Sequence, residues 1–106
     1  MKHLFLLLVF VAASLTIFAD TSVDKSNCTC KNIPLRGKVK VVNAFPDFKI
    51  KVVEAFPDIK VKRVSAFPDK CGEWQFVDAF PDFTVQFVDA FPDFKVQFVE
   101  AFPGVK

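Results

Sequence analysis

The chain has 106 residues, enough for one small domain, and its formal net charge is +2. Apolar residues make up 52% and charged residues 25%, which excludes a disordered tail and an ordinary membrane protein. The chain has 15 Phe, 7 Pro and a single histidine, His3. If the N-terminus is removed, no imidazole is left, so Ser/His/Asp triads, Cys/His pairs and His-ligated metal sites are excluded together.

The N-terminus has the three-part layout of a secretory signal peptide. A short positive start precedes an apolar run over residues 4–18, which is short for a membrane span of about 20 residues. We therefore predict a signal peptide over residues 1–19 and a secreted or periplasmic protein. Cleavage after Ala13 or Ser14 is an alternative. An uncleaved N-terminus would be the protein's one contact with a membrane.

Three cysteines follow, Cys28, Cys30 and Cys71. An exported chain can form a disulfide, and a bond from Cys71 to either Cys28 or Cys30 would close a loop of about 40 residues, worth roughly 3–4 kcal/mol. The odd cysteine leaves a disulfide-linked dimer as an alternative to the favoured monomer. Three cysteines without histidine are a thin ligand set, so we expect no metal site.

From residue 38 onward the chain repeats one unit with a period of 11 residues. Residues 44–54 read AFPDFKIKVVE and residues 90–100 read AFPDFKVQFVE, while one unit of 13 residues carries an insertion at Cys71-Gly72. Eleven residues hold one strand and one turn. We predict a mostly irregular leader over residues 20–37 and a single all-β repeat domain over residues 38–106.

Each unit contains a strand in which apolar and polar residues alternate. Phe48, Ile50 and Val52 alternate with Lys49 and Lys51, a period of two that is typical of a half-buried strand. A valine near each strand end recurs in every unit and is predicted to lie in the core: Val42, Val53, Val64, Val77, Val88 and Val99. The residue before it is apolar in every unit except one, where it is Arg63.

The Ala-Phe-Pro-Asp segments are predicted to be corners between strands. Proline fixes its own φ and favours an extended residue before it, and aspartate accepts hydrogen bonds from the backbone amides that follow it. We expect the corner Phe rings to form much of the core, with Trp74 beside them. These rings are Phe45, Phe56, Phe67, Phe80, Phe91 and Phe102.

Strand pairing is open at this point, because short turns allow a β-meander and a repeat of this kind allows a β-solenoid. Three features together resemble the 7(1) septoil knot domain family: tandem strands with near-identical corners, the step Gly72-Glu73-Trp74, and the altered last corner Phe102-Pro103-Gly104. The resemblance implies about seven short strands wound as a 7(1) torus knot. It brings no catalytic residues.

The two halves of the chain carry opposite charge. Residues 31–63 have nine basic and three acidic groups, a net charge of +6, and residues 64–106 have three basic and seven acidic groups, a net charge of −4. Interleaved halves would keep like charges off neighbouring strands. The alternative is a basic face at Lys40, Lys51 and Lys62 that binds an anionic partner such as a polysaccharide or a lipid headgroup.

The repeated corner aspartates are interpreted as turn residues and not as a calcium ladder, since calcium repeats are rich in glycine. They are Asp47, Asp58, Asp69, Asp82 and Asp93. No cofactor is expected. If the chain has a distinct site, the insertion at Cys71 is where the repeat is broken.

These patterns favour a non-catalytic structural or binding module, not an enzyme. The near-neutral charge after cleavage argues against a nucleic-acid partner, and a protein or an anionic glycan remains the expected kind of partner. A self-assembling, fibre-forming repeat protein is the alternative, although a proline in every unit opposes stacking of strands.

Overall fold

The computed structural model describes residues 23–105. All the regular secondary structure in this part of the chain is β-strand. The predicted signal peptide lies outside these residues. Two short strands, β1 (Thr29–Cys30) and β2 (Ile33–Pro34), pair as an antiparallel hairpin. The others form a closed barrel. They are β3 (Gly37–Val41), β4 (Phe48–Val52), β5 (Ile59–Arg63), β6 (Glu73–Phe76), β7 (Phe83–Phe87) and β8 (Phe94–Phe98).

The alternating sequence places the apolar side of each strand inside the barrel. In β4, Phe48 and Ile50 are fully buried, whereas Lys49 between them is exposed. The other barrel strands show the same alternation. Since burying such a side chain contributes roughly 1.5–3 kcal/mol, the strand positions predicted from period two supply most of the core.

The barrel interleaves the two halves of the repeat array. Its strand order is β3-β6-β5-β8-β4-β7, so each strand of the first half lies between two strands of the second half. All six pairings are parallel. A meander pairs consecutive strands in antiparallel fashion, so that alternative is wrong. A solenoid stacks consecutive units, and that alternative is wrong too.

The last segment of the chain lies between the start of β5 and the residues that precede β6, where Gly104 forms an isolated antiparallel bridge with Lys60. The backbone of Gly104 donates to the Lys60 carbonyl at 2.8 Å and accepts from the Lys60 amide at 2.7 Å. Gly72, which precedes β6, lies on its other side. With this segment included, each strand lies two positions further round the ring than the strand before it. The chain therefore winds around the ring almost twice.

Each corner crosses the outside of the strand that lies between the two strands it connects. Asp47, between β3 and β4, contacts Thr84 on β7, and Asp82, between β6 and β7, contacts Lys38 on β3. The all-β prediction is confirmed, and the winding is consistent with the torus that the resemblance implies.

The N-terminal hairpin closes one end of the barrel. Cys30, Leu35 and Val23 join the barrel core, and Cys30 and Leu35 are at most 1% exposed. The indole Nε1 of Trp74 donates to the Leu35 carbonyl at 3.1 Å. The expected core position of Trp74 is confirmed, because its side chain is fully buried.

Candidate functional site

The corner Phe side chains point into solvent, so their predicted place in the core is wrong. Their exposed fractions run from 82% to 98%. They are Phe45, Phe56, Phe67, Phe80, Phe91 and Phe102. Each also has a positive φ between 54° and 57°, so the extended conformation expected before proline is wrong as well. A non-glycine residue in this region costs about 1 kcal/mol or more, and the fold recovers little of it by burial.

The corner aspartates explain why the rings point outward. The Oδ2 atom of Asp82 accepts from the Lys38 amide at 2.8 Å, and the Asp82 amide donates to the Lys38 carbonyl at 2.7 Å. Asp93 holds Lys49 in the same way, across 44 residues. These partners are remote, so the expected local bonds to following amides are wrong here. Because the strand beneath fills the space toward the core, the Phe ring turns outward.

The repeated valines are half-buried, and the core position predicted for them is only partly right. Their backbone amides extend the barrel pairing by one residue, as in the bonds from Val42 to the Val85 carbonyl at 2.9 Å and from Val53 to the Val96 carbonyl at 2.8 Å. The Val-Val and Phe-Val doublets therefore mark the end of each strand.

The end of the barrel opposite the hairpin is an open mouth formed by the last residue of each strand. Arg63 is the one charged member of this ring; the others are Val41, Val52, Phe76, Phe87 and Phe98. The exposed fractions of Val41, Val52 and Phe87 are 42–45%. The Cζ atom of Arg63 lies 4.3 Å from the Phe98 ring centre and 5.4 Å from that of Phe76. The mouth is thus apolar with one cation held over two rings.

The lysines of the predicted basic face lie on strands that are not neighbours. Lys40, Lys51 and Lys62 occupy β3, β4 and β5, which are separated by strands of the second half. The glutamines between them, Gln86 and Gln97, donate to the Asn43 and Glu54 carbonyls, which come just before the corners that follow β3 and β4, at 3.0 and 3.1 Å. This alternation is the interleaving expected from the two oppositely charged halves.

One register pair departs from that interpretation. Lys51 faces Lys95 across the β4–β8 pairing, so like charges meet there. The other lysines at these positions face uncharged or acidic partners, such as Lys40 opposite Thr84 and Lys62 opposite Glu73. Binding of an anionic partner at Lys40, Lys51 and Lys62 stays a prediction.

A family model for the 7(1) septoil knot domain matches residues 32–106. The chain belongs to this family. No curated protein matches the chain. In this septoil knot domain, the corners, the exposed Phe rings and the mouth at Arg63 are among the features that face solvent.

The inserted residues of the septoil knot domain close the ring. Cys71 is bonded to Cys28, which ties the hairpin to the corner between β5 and β6, and a disulfide is compatible with an oxidising compartment. Cys30 is buried instead, and burial raises the pKa of its thiol. A Cβ atom on Gly72 would lie 2.5 Å from the Lys60 carbonyl oxygen, so this position requires glycine. The insertion therefore has a structural role in the fold.

Within residues 23–105, no three His, Cys, Asp or Glu side chains are placed to hold a metal ion together. Four corner aspartates accept backbone amides of the opposite half, which accounts for their recurrence: Asp47, Asp58, Asp82 and Asp93. The same part of the chain contains no helix that is long and apolar enough to cross a bilayer.

Proposed function

We propose that the protein is a non-catalytic extracellular binding module whose corner Phe rings anchor protein partners. The observation that carries this proposal is the set of corner rings, each at least 82% exposed on a backbone with positive φ. Asparagine or glycine would suit that backbone better and would leave less apolar surface in water. Strain and exposure repeated at every corner favour a role outside the fold.

The corners also suggest the chemistry of the partner. Phe80 is exposed between two exposed acids, Asp78 and Asp82. An aromatic ring in a desolvated pocket is a common binding anchor, and charge complementarity at the rim favours the correct partner. A protein with an apolar pocket and a basic rim fits this corner.

The distribution of the corners favours several partners at once. Because successive corners cross different strands around the ring, their rings point away from the barrel in different directions. A flat bilayer would contact adjacent corners alone, whereas several protein copies could each take one corner. Where the partner copies are linked to one another, such multivalent binding raises the overall affinity without any new kind of contact.

Export is part of the proposal. The Cys28–Cys71 disulfide supports an oxidising compartment, and the predicted signal peptide over residues 1–19 supports the same destination. The closed barrel counts against the fibre-forming alternative, since its six strands leave no open edge for stacking.

Site-specific cross-linking tests the proposal. Benzoylphenylalanine would replace Phe91 in the full mature protein, with the same residue at exposed Lys49 as the matched control. In the extracellular medium of the producing cell, we expect protein adducts from position 91 and far fewer from position 49. Excess unlabelled protein should suppress the adducts, and a variant with every corner Phe changed to Asn should not. Equal adduct yields at both positions would contradict the proposal.

A further inference from the structure

Arg63 breaks the apolar pattern of the barrel mouth. Five of the six strands end on Val or Phe at this repeat position, and β5 ends on arginine. The Arg63 guanidinium has defined contacts, because its Cζ atom lies over the Phe98 and Phe76 rings at 4.3 and 5.4 Å from their centres. Cation–π contact of this kind holds the planar group in place.

The hydrogen-bonding groups of Arg63 are not used by the fold. Within residues 23–105, its guanidinium forms neither an ion pair within 4.0 Å nor a hydrogen bond. A guanidinium carries five N–H donors in a planar fork that matches a carboxylate. Arg63 is therefore a fixed cation with free donors at the edge of an apolar surface.

An open hollow lies beside this cation. Its volume is about 430 Å³, and Val41, Val64, Phe76 and Phe87 line it together with Arg63. Small-molecule sites are commonly about 300–1,000 Å³, mostly apolar, with a few polar groups that fix the orientation of the ligand. The hollow has both the size and this composition.

We infer that the mouth binds a small apolar monocarboxylate, with the carboxylate on Arg63 and an aryl or short alkyl group in the hollow. One guanidinium balances one negative charge. Glu100 and Arg63 both line a second hollow, and a nearby carboxylate repels a doubly charged phosphate more strongly than a singly charged carboxylate. This inference does not depend on the partner proposed for the corner Phe rings.

Calorimetry on the full mature, disulfide-bonded protein tests the site with three probes: 4-phenylbutyrate, its uncharged amide and phenyl phosphate. We expect the carboxylate to bind with a dissociation constant of about 1 mM or lower, and the amide and the phosphate to bind at least about tenfold more weakly, as loss or mismatch of a charge-assisted bond implies. Arg63→Val restores the residue found at this position in β3 and β4, so the fold should be retained, and affinity should fall about tenfold or more.

The matched control is Lys62→Gln, which removes a neighbouring charge on the same strand and introduces the residue of the second-half strands. It should leave the affinity for 4-phenylbutyrate within about twofold, because an exposed charge outside the contact contributes little. Trp74, whose ring centre lies 6.1 Å from that of Phe76, reports binding by its fluorescence.

Four results would overturn the inference: equal binding of acid and amide, tighter binding of phenyl phosphate, unchanged affinity in Arg63→Val, or no binding of the acid below about 10 mM. Sedimentation without any probe gives a fifth. If the wild type self-associates and Arg63→Val does not, the occupant of the mouth is a corner of a second copy.

Discussion

Two Phe residues of one repeat unit should respond in opposite ways to the same substitution. Phe80 is 91% exposed with a φ of 55°, whereas Phe83 is 1% exposed and packs edge-on against Phe48 and Trp74, with ring centres 5.5 and 5.4 Å away. Phe83→Ala should lower the free energy of unfolding by about 3–5 kcal/mol. Phe80→Ala removes a ring that burial hardly stabilises, so the change should stay within about 0.5 kcal/mol.

Phe80→Asn extends the comparison, because asparagine tolerates positive φ and should stabilise the fold by up to about 1 kcal/mol. Urea denaturation followed by the fluorescence of Trp74, the single tryptophan, measures all three variants. At a slope of about 1–3 kcal/mol per M urea, Phe83→Ala should move the midpoint by more than about 1 M. If both Phe80 variants lose as much stability as Phe83→Ala, the corner ring contributes to the core and the reasoning fails.

Three further changes probe the closure of the ring. Replacing Cys28 and Cys71 with serine removes a disulfide that joins residues 43 apart, which should lower the free energy of unfolding by about 4 kcal/mol. Calorimetry should show a drop in Tm of about 15–30 °C, and a drop of only a few degrees would contradict this prediction. Gly72→Ala forces a Cβ against the backbone of Lys60 and should cost about 2–3 kcal/mol in urea denaturation; an unchanged midpoint would show that the contact relaxes. Because burial raises the pKa of Cys30, the folded state keeps this proton to higher pH than the unfolded chain. The contribution of Cys30 to the free energy of unfolding should be fully present below the ordinary cysteine pKa of about 8.5 and should fall as the pH rises above it. Cys30→Ala should flatten this pH dependence when denaturation is measured at a series of pH values.

The buried residues of each strand could be predicted from the sequence, because alternate side chains of a strand point to opposite faces of the sheet. Phe48, Ile50 and Val61 alternate with lysines, and each is buried where the pattern places it. The pairing could not be predicted, since in five of the six pairings the partners lie 37 or 44 residues away, and each unit is nearly identical to the others. Only the resemblance to a family distinguished the torus from a meander.

The sequence correctly predicts where the corners lie, but it wrongly predicts that their Phe side chains face the core. Phe is a hydrophobic residue that is usually buried, and no pattern of polar residues around Phe91 indicates that its side chain is exposed. One signal is visible in hindsight. Core positions differ in size between units, as with Ile50 and Trp74, because a packed interior needs complementary shapes. The corner Phe is the same in all six units, although the interior that it would have to fit differs from unit to unit.

The sequence singles out Arg63 among the strand ends, but only the closed barrel shows which residues surround it. The sequence places it four residues after Ile59 on the same side of the strand, and the barrel brings it to the rings of Phe76 and Phe98 from two other strands. The disulfide partner of Cys71 was likewise open between Cys28 and Cys30. The hairpin decides it by burying Cys30 and leaving Cys28 beside Cys71.

The interleaved barrel determines when this protein can fold during synthesis. β3, β4 and β5 pair with none of one another, and their first partner residue in the chain is Glu73. Apart from the β1–β2 hairpin, a nascent chain of the first half therefore has no sheet to form while it emerges from the ribosome at about 5–20 residues per second. Five of the six pairings join residues 37 or 44 apart, a contact order that predicts slow folding. The barrel can therefore close only after the strands of the second half have been made.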